Sequence, residues 1–66
     1  MTIERTTGVI EVEDVRGKTY KYAGYYLKYA IDEEGVTTID LDNGDRAYFI
    51  SSNVIRICVN GAARAL

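Results

Sequence analysis

A chain of 66 residues can form one domain and is too short for two. Its single cysteine, Cys58, excludes an intrachain disulfide, and the absence of histidine excludes a zinc site built from cysteine and histidine. Ten acidic and eight basic side chains leave a formal charge of −2, which gives no general attraction to nucleic acid. Domains of this size bury only about 60% of the surface that the unfolded chain exposes, so their stability is marginal. With a disulfide and a zinc site excluded, self-association is the remaining way to add stability.

The first predicted strand covers residues 9–13. Ile10 and Val12 alternate there with Glu11 and Glu13, so the two apolar side chains are expected to face the core. Residues 15–18 contain a glycine and predict a turn.

A second extended stretch covers residues 18–31 and is interrupted by Gly24. A glycine inside a strand pattern indicates a bulge or a sharp bend. The pattern leaves open which face of residues 18–23 is buried. Beyond the glycine, alternation predicts one core face made of Tyr25, Leu27, Tyr29 and Ile31. A polar turn is predicted at residues 32–35.

Residues 36–42 and 45–50 flank Asn43-Gly44 and predict a hairpin. Asn-Gly favours a two-residue type I′ loop, which places Asp42 opposite Asp45 and Ile39 opposite Tyr48. The predicted core face then carries Thr37, Ile39, Leu41, Arg46, Tyr48 and Ile50. The opposite face carries Val36, Thr38, Asp40, Asp42, Asp45, Ala47 and Phe49.

The C-terminal part predicts a tight connection at residues 51–53 and a last strand at residues 54–59. Alternation in that strand places Ile55, Ile57 and Val59 on one face. Asn60-Gly61 ends the strand. Residues 62–66 have good helix propensity and predict a short helical turn.

Six glycines spaced about nine residues apart, together with these short strands, indicate an all-β domain. Residues 48–57 resemble the last strand, short turn and final strand of SH3 and Sm-like barrels. The predicted fold of residues 1–66 is therefore a single small antiparallel meander, or an SH3/Sm-like barrel, of five to six short strands.

The usual catalytic groups are missing from the sequence. There is no histidine to act as a general base, and Ser51 and Ser52 have no partner that would activate them. Cys58 lies inside a predicted strand, as a packed structural thiol does. We expect no enzymatic activity and no cofactor. The unpaired thiol and the lack of a long apolar run predict a soluble cytoplasmic protein that does not enter a membrane.

The predicted hairpin register places Asp40, Asp42 and Asp45 on one face. Like charges opposite each other destabilise a sheet, so a cation or a basic partner would relieve the repulsion. The segment differs from a calcium loop at Gly44 and at Ser51, and we expect no metal site. The alternative is a solvated turn whose aspartates favour turn geometry.

Five of the six tyrosines lie between residues 20 and 29, interleaved with lysines. Tyrosines beside cations are typical of protein interfaces and of single-strand nucleic-acid binders. The alternative is that these tyrosines form core and half-buried sheet surface, since tyrosine has high β propensity. Phe49 and Val36, opposite the predicted core face, are candidate exposed apolar contacts unless a local bulge returns them to the interior.

The leading hypothesis is a non-catalytic module that binds a protein partner by surface complementarity. Small acidic chains without catalytic groups are typical of inhibitors and accessory factors of phages and mobile elements. The alternatives are a small-barrel nucleic-acid binder that uses the tyrosine- and lysine-rich strand, and a structural subunit of a homo-oligomer. The candidate partner-binding residues are Lys18, Tyr20, Lys21, Tyr22, Tyr26, Lys28, Asp40, Asp42, Asp45 and Phe49.

Overall fold

The computed structural model describes residues 1–65. It contains six strands and one short 3₁₀ helix: β1 (Thr2–Asp14), β2 (Thr19–Ile31), β3 (Val36–Asp40), β4 (Arg46–Ile50), η1 (Ser51–Asn53), β5 (Val54–Val59) and β6 (Ala62–Arg64). Over these residues, no helix has the length and apolar character needed to cross a membrane.

The six strands form a single antiparallel sheet in the order β4-β3-β2-β1-β5-β6. The prediction of a small all-β antiparallel meander is confirmed. The sheet is open, because no pairing within residues 1–65 joins β4 to β6. β1 extends beyond its predicted bounds of residues 9–13, since the polar segment that begins at Thr2 pairs with the end of β2, whereas β2 lies within its predicted bounds.

The C-terminal tail forms a strand, and the predicted helical turn is wrong for residues 62–65. Val59 pairs with Ala62 across the two-residue loop Asn60-Gly61. Both loop residues have positive φ, 50° and 84°, as a type I′ turn requires. Pairing with β5 gives β6 hydrogen-bond partners that a single helical turn would lack. Leu66 lies outside the described residues.

The core lies on one face of the sheet, and its buried apolar side chains come from four strands, β1, β2, β3 and β5. Ile10 and Val12 are fully buried there, as their alternation predicted. Burying a side chain of this size contributes about 1.5–3 kcal/mol. The complete buried apolar cluster is Ile10, Val12, Leu27, Tyr29, Ile39, Val54, Ile57 and Val59.

The hairpin formed by β3 and β4 differs from its predicted register by one residue. Asp40 pairs with Arg46 and Ile39 pairs with Ala47. The Gly44 N–H donates to the Leu41 carbonyl at 3.1 Å, and the Leu41 N–H donates to the Asp45 carbonyl at 2.9 Å. Gly44 has φ 88°, whereas Asn43 does not have positive φ. This is a three-residue loop with a left-handed glycine, the next most common hairpin loop after the predicted two-residue type.

The changed register reverses the predicted faces of β4. Thr37 and Ile39 of β3 are buried as predicted, but a one-residue slip moves every side chain of the partner strand to the other face. Tyr48 and Ile50 are therefore 67% and 62% exposed instead of buried, and Arg46 is exposed too. Ala47 and Phe49 pack against the core.

β5 also departs from simple alternation. Glu13 pairs with Arg56, and Asp14 pairs with Val54, so β5 contains one extra residue between these pairs. That residue is Ile55, which is 53% exposed although it was predicted to share a face with Ile57 and Val59. Val54 takes the buried position instead.

The predicted turns at residues 15–18 and 32–35 are confirmed, and each is closed by an aspartate. The Asp14 carboxylate, 6% exposed, accepts hydrogen bonds from the backbone N–H groups of Arg16 at 2.9 Å and Lys18 at 3.0 Å. These donors, that of Lys18 above all, lower the pKa of Asp14. Asp32 accepts in the same way from the N–H groups of Glu34 and Val36.

Candidate binding surface

A bulge in β2 turns two adjacent tyrosines outward. Thr6 pairs with Leu27 and Gly8 pairs with Gly24, so β2 has one more residue than β1 over this interval. Tyr25 and Tyr26 occupy the bulge and are 75% and 82% exposed. The predicted bulge beside Gly24 is confirmed. The predicted core position of Tyr25 is wrong, because the bulge shifts the alternation by one residue at that point.

The bulge is held by the carboxylate of Asp42, which comes from the loop between β3 and β4. Its two oxygens accept hydrogen bonds from the backbone N–H groups of Tyr25 at 2.8 Å and Tyr26 at 2.7 Å. A Cβ atom at Gly24 would lie 2.6 Å from Asp42 Oδ1, closer than atoms can approach. Only glycine therefore allows Asp42 to reach the bulge.

An open groove of about 540 Å³ runs beside the two tyrosines. Thr7 fixes one wall, since its hydroxyl donates to the Tyr25 carbonyl at 2.8 Å. No carboxylate among residues 1–65 lies within ion-pair distance of the exposed Arg5 guanidinium. The residues that line the groove are Arg5, Thr6, Thr7, Tyr25, Tyr26, Leu27 and Lys28.

The groove is continuous with the sheet face that lies opposite the core. Directly paired residues share a face, so the cross-strand register places Arg5, Lys28, Asp40 and Arg46 in one row on this face. Two residues further along each strand, a second row contains Ile3 and Tyr48. We name the exposed face the outer patch; it comprises Ile3, Arg5, Tyr25, Tyr26, Lys28, Arg46, Tyr48 and Ile50.

Asp40 is the acid within this row of bases. Its carboxylate bonds the Arg46 guanidinium and lies 3.2 Å from Lys28 Nζ. The hydrogen bond from Arg46, followed by that from Lys28, lowers the pKa of Asp40. Arg5, Lys28 and Arg46 supply three positive charges at the outer patch, against the two carboxylates of Asp40 in the row and Asp42 at the bulge. The balance of the patch is therefore positive in a chain whose total charge is negative.

The structure separates the three aspartates that were predicted to share a face. Asp40 pairs with Arg46 on the outer face, and Asp42 turns to the β2 bulge. Asp45 accepts from the Asn43 side-chain amide at 3.1 Å. The register shift separates Asp42 from Asp45, which removes the predicted repulsion. Within residues 1–65 no group of three acidic, cysteine or histidine side chains is placed to hold a metal ion.

The remaining candidate residues lie away from the outer patch. Tyr20 and Tyr22 are half-buried and make edge contacts with the ring of Phe49, with centroid distances of 5.1 Å and 6.5 Å. Phe49 therefore packs inward and is not an exposed contact. Lys18 lies over the ring of Tyr20, at 4.9 Å from its centroid, and Lys21 lies 3.8 Å from Glu11.

A second polar cluster joins the beginning of β1 to the end of β6. The Arg64 guanidinium donates two hydrogen bonds to Glu4, at 2.8 Å and 2.9 Å, and the buried Tyr29 hydroxyl donates to the same carboxylate at 3.0 Å. The bond from Arg64 lowers the pKa of Glu4, and burial raises the pKa of Tyr29. Both oxygens of the Glu4 carboxylate accept hydrogen bonds from within the chain. We therefore interpret this cluster as a structural contact between β1 and β6.

Sequence reasoning missed six of the eight residues of the outer patch, since only Tyr26 and Lys28 were among its candidate contacts. Ile3 and Arg5 lie in a segment outside the predicted strands, although its isoleucine and threonines have high β propensity. Tyr48, Ile50 and Arg46 were assigned to the core face by the predicted register.

Comparison of the chain with protein-family models, with curated proteins and with solved structures gives no significant match. Because a fold alone does not define a function, the function is inferred from the residues of the site.

Proposed function

We propose that this chain is a non-catalytic protein-binding module that docks on an acidic protein surface through the outer patch. The observation that supports the proposal is the exposure of two adjacent tyrosines, Tyr25 and Tyr26, beside Arg5 and Lys28. Tyrosine and arginine are the residues that most often supply the binding energy of protein interfaces. Monomeric proteins rarely expose large contiguous apolar patches without a function.

The charge of the patch selects the kind of partner. Its bases attract an acidic surface, while the net negative charge of the whole chain repels other acidic regions and thereby restricts the orientation of docking. A role as a small inhibitor or accessory factor, such as phages and mobile elements encode, fits a module of this size. In such a role the module acts by covering a surface of its target.

The experiment is affinity capture by the immobilised full chain from a lysate of the organism that encodes it, with quantitative mass spectrometry. Wild type is compared with Arg5→Glu and Tyr26→Ala. The matched control is Arg16→Glu, which makes the same charge change in the exposed turn between β1 and β2. We expect an acidic protein that wild type and the control retain and that both patch variants lose.

Retention that does not depend on Arg5 or Tyr26 would contradict the proposal. Light scattering coupled to gel filtration with a mixed single-stranded oligonucleotide tests the nucleic-acid alternative, which predicts a salt-sensitive complex. Tyr20 and Tyr22, which belong to the tyrosine- and lysine-rich strand that the nucleic-acid alternative needs exposed, are half-buried against Phe49. That placement favours the protein partner.

A further inference from the structure

β4 is an edge strand whose outward backbone groups can be assigned from its hydrogen bonds. The Leu41 N–H donates to the Asp45 carbonyl and the Ser51 N–H donates to the Gly35 carbonyl, at the two ends of the β3–β4 ladder. Hydrogen-bonded and non-hydrogen-bonded pairs alternate along an antiparallel ladder. Ala47 and Phe49 therefore point their backbone groups at β3. Arg46, Tyr48 and Ile50 direct theirs away from the sheet.

Of the devices that usually protect edge strands, β4 has one exposed charged side chain, Arg46, and its charge is paired with Asp40. Proteins cover such strands, shorten them, or place proline, bulges or inward-pointing charges in them. The chain has no proline, the β3–β4 register has no shift, and the side chains that point inward from β4 are Ala47 and Phe49. By contrast β6, at the other edge, has three residues, and Arg64 at its end is tied to Glu4.

We infer that β4 pairs antiparallel with β4 of a second copy of this chain, about a two-fold axis at Tyr48. In this register the N–H and C=O of Tyr48 meet those of Tyr48 in the second copy. Arg46 lies opposite Ile50 of the second copy, and Ile50 lies opposite its Arg46. All three outward donors and acceptors of each strand are then satisfied.

The side chains fit the same register. The two Tyr48 rings become a directly opposite aromatic pair, which is among the favourable cross-strand pairs. No like charges lie opposite each other, since each Arg46 faces an isoleucine and keeps its own ion pair with Asp40. The interface is isologous, as two-fold dimers require, and it joins two sheets of a domain too small to bury much surface alone.

Self-pairing goes beyond docking of an acidic partner and does not depend on it. Edge-to-edge pairing leaves the sheet faces free, so the two outer patches of the dimer remain exposed side by side. Arg5→Glu, which is expected to abolish partner capture, is expected to leave the dimer intact. Failure of one proposal is thereby distinguishable from failure of the other.

The test is sedimentation velocity of the purified chain over concentrations that reach the millimolar range. We expect a reversible dimer for wild type and for Tyr48→Phe, which keeps the ring and the backbone N–H. Tyr48→Pro is expected to be a monomer, because proline removes an outward N–H without removing one that bonds β3. Circular dichroism checks that this variant is folded. If it is not folded, Tyr48→Lys replaces it and places two like charges opposite each other at the axis.

Amide exchange measured by NMR gives a second readout on the unmodified protein. The amide protons of Arg46, Tyr48 and Ile50 are expected to become protected as concentration rises, whereas those of Ala47 and Phe49 are protected throughout. A wild-type chain that stays monomeric, with the first three amides unprotected at every concentration, would overturn the inference. In that case the edge is left for a strand of another protein. A dimer that persists in folded Tyr48→Pro would overturn it as well.

Discussion

Ile55 and Ile57 lie two residues apart in β5, and their exposure differs sharply. Ile57 is fully buried, and Ile55, the extra residue of the β5 bulge, is 53% exposed. Truncation of a buried isoleucine to alanine costs about 2–5 kcal/mol, through lost burial and the cavity that remains. A domain of this size has a total stability of about 3–10 kcal/mol. Ile57→Ala is therefore expected to remove a large part of this stability.

Ile55→Ala is the matched control, since it makes the same chemical change in the same strand. It is expected to cost less than about 1 kcal/mol, the range of a surface strand substitution. Urea unfolding and thermal unfolding, both followed by circular dichroism, measure the free energy of unfolding and the Tm of both variants. Ile57→Ala is expected to lower the Tm by at least about 8 °C, at 4–8 °C per kcal/mol. Equal costs for the two variants would refute the bulge and restore the simple alternation of the sequence pattern.

Two further predictions concern the bulge of β2 and the hydrogen-bonded carboxylates of Glu4 and Asp14. Gly24→Ala and Asp42→Ala are each expected to cost about 1–3 kcal/mol through loss of two charge-assisted hydrogen bonds; the double variant should cost little more than either, because both remove the same contact. Stability is expected to fall as the pH drops below about 4, the ordinary carboxyl range. The folded-state pKa values of Glu4 and Asp14 are lowered, so their contribution is complete above that range and is lost as they protonate. Acid titration of Asp14→Asn should show a shallower loss, and an unchanged slope would contradict this assignment.

The sequence contains two Asn-Gly pairs, and only one of them forms a two-residue loop. Asn60-Gly61 forms that loop, with positive φ at both residues, although the sequence pattern was interpreted there only as the end of a strand before a helical turn. Asn43-Gly44 does not, although its flanking strands carry the clearer alternation. There the preceding Asp42 bonds backbone N–H groups of β2, and the Asn43 side chain accepts from the Asp45 N–H at 2.9 Å. The sequence of the hairpin segment does not indicate that Asp42 bonds to another strand.

The other correct predictions depend on interactions within one segment, and the incorrect ones depend on interactions between segments. The turns closed by Asp14 and Asp32 depend on hydrogen bonds that span two to four residues, and the sequence places both correctly. The core positions of Ile10 and Val12 follow from alternation within one strand. The exposed positions of Tyr25 and Ile55 depend on bulges, which the pairing of two strands creates. Alternation within one strand contains no information about the residue count of its partner.

Asp42 connects the two segments that the sequence presents as separate patches of opposite charge. By bonding the amides of Tyr25 and Tyr26, it makes the acidic loop a support for the aromatic bulge. Asp42 is thus a positioning residue, and its side chain is occupied within the chain.

Asp42→Asn and Asp45→Asn separate this role from direct contact with a partner, because they remove the same charge from the same exposed loop. If the loop acidity itself binds a partner, both variants should weaken capture equally. If Asp42 acts by positioning the bulge, only Asp42→Asn should weaken capture. This variant should also shift the Tyr25 and Tyr26 amide resonances in the free protein, because an asparagine offers one acceptor oxygen where the carboxylate offers two. Equal loss in both variants, without those shifts, would return the loop to the role of a contact surface.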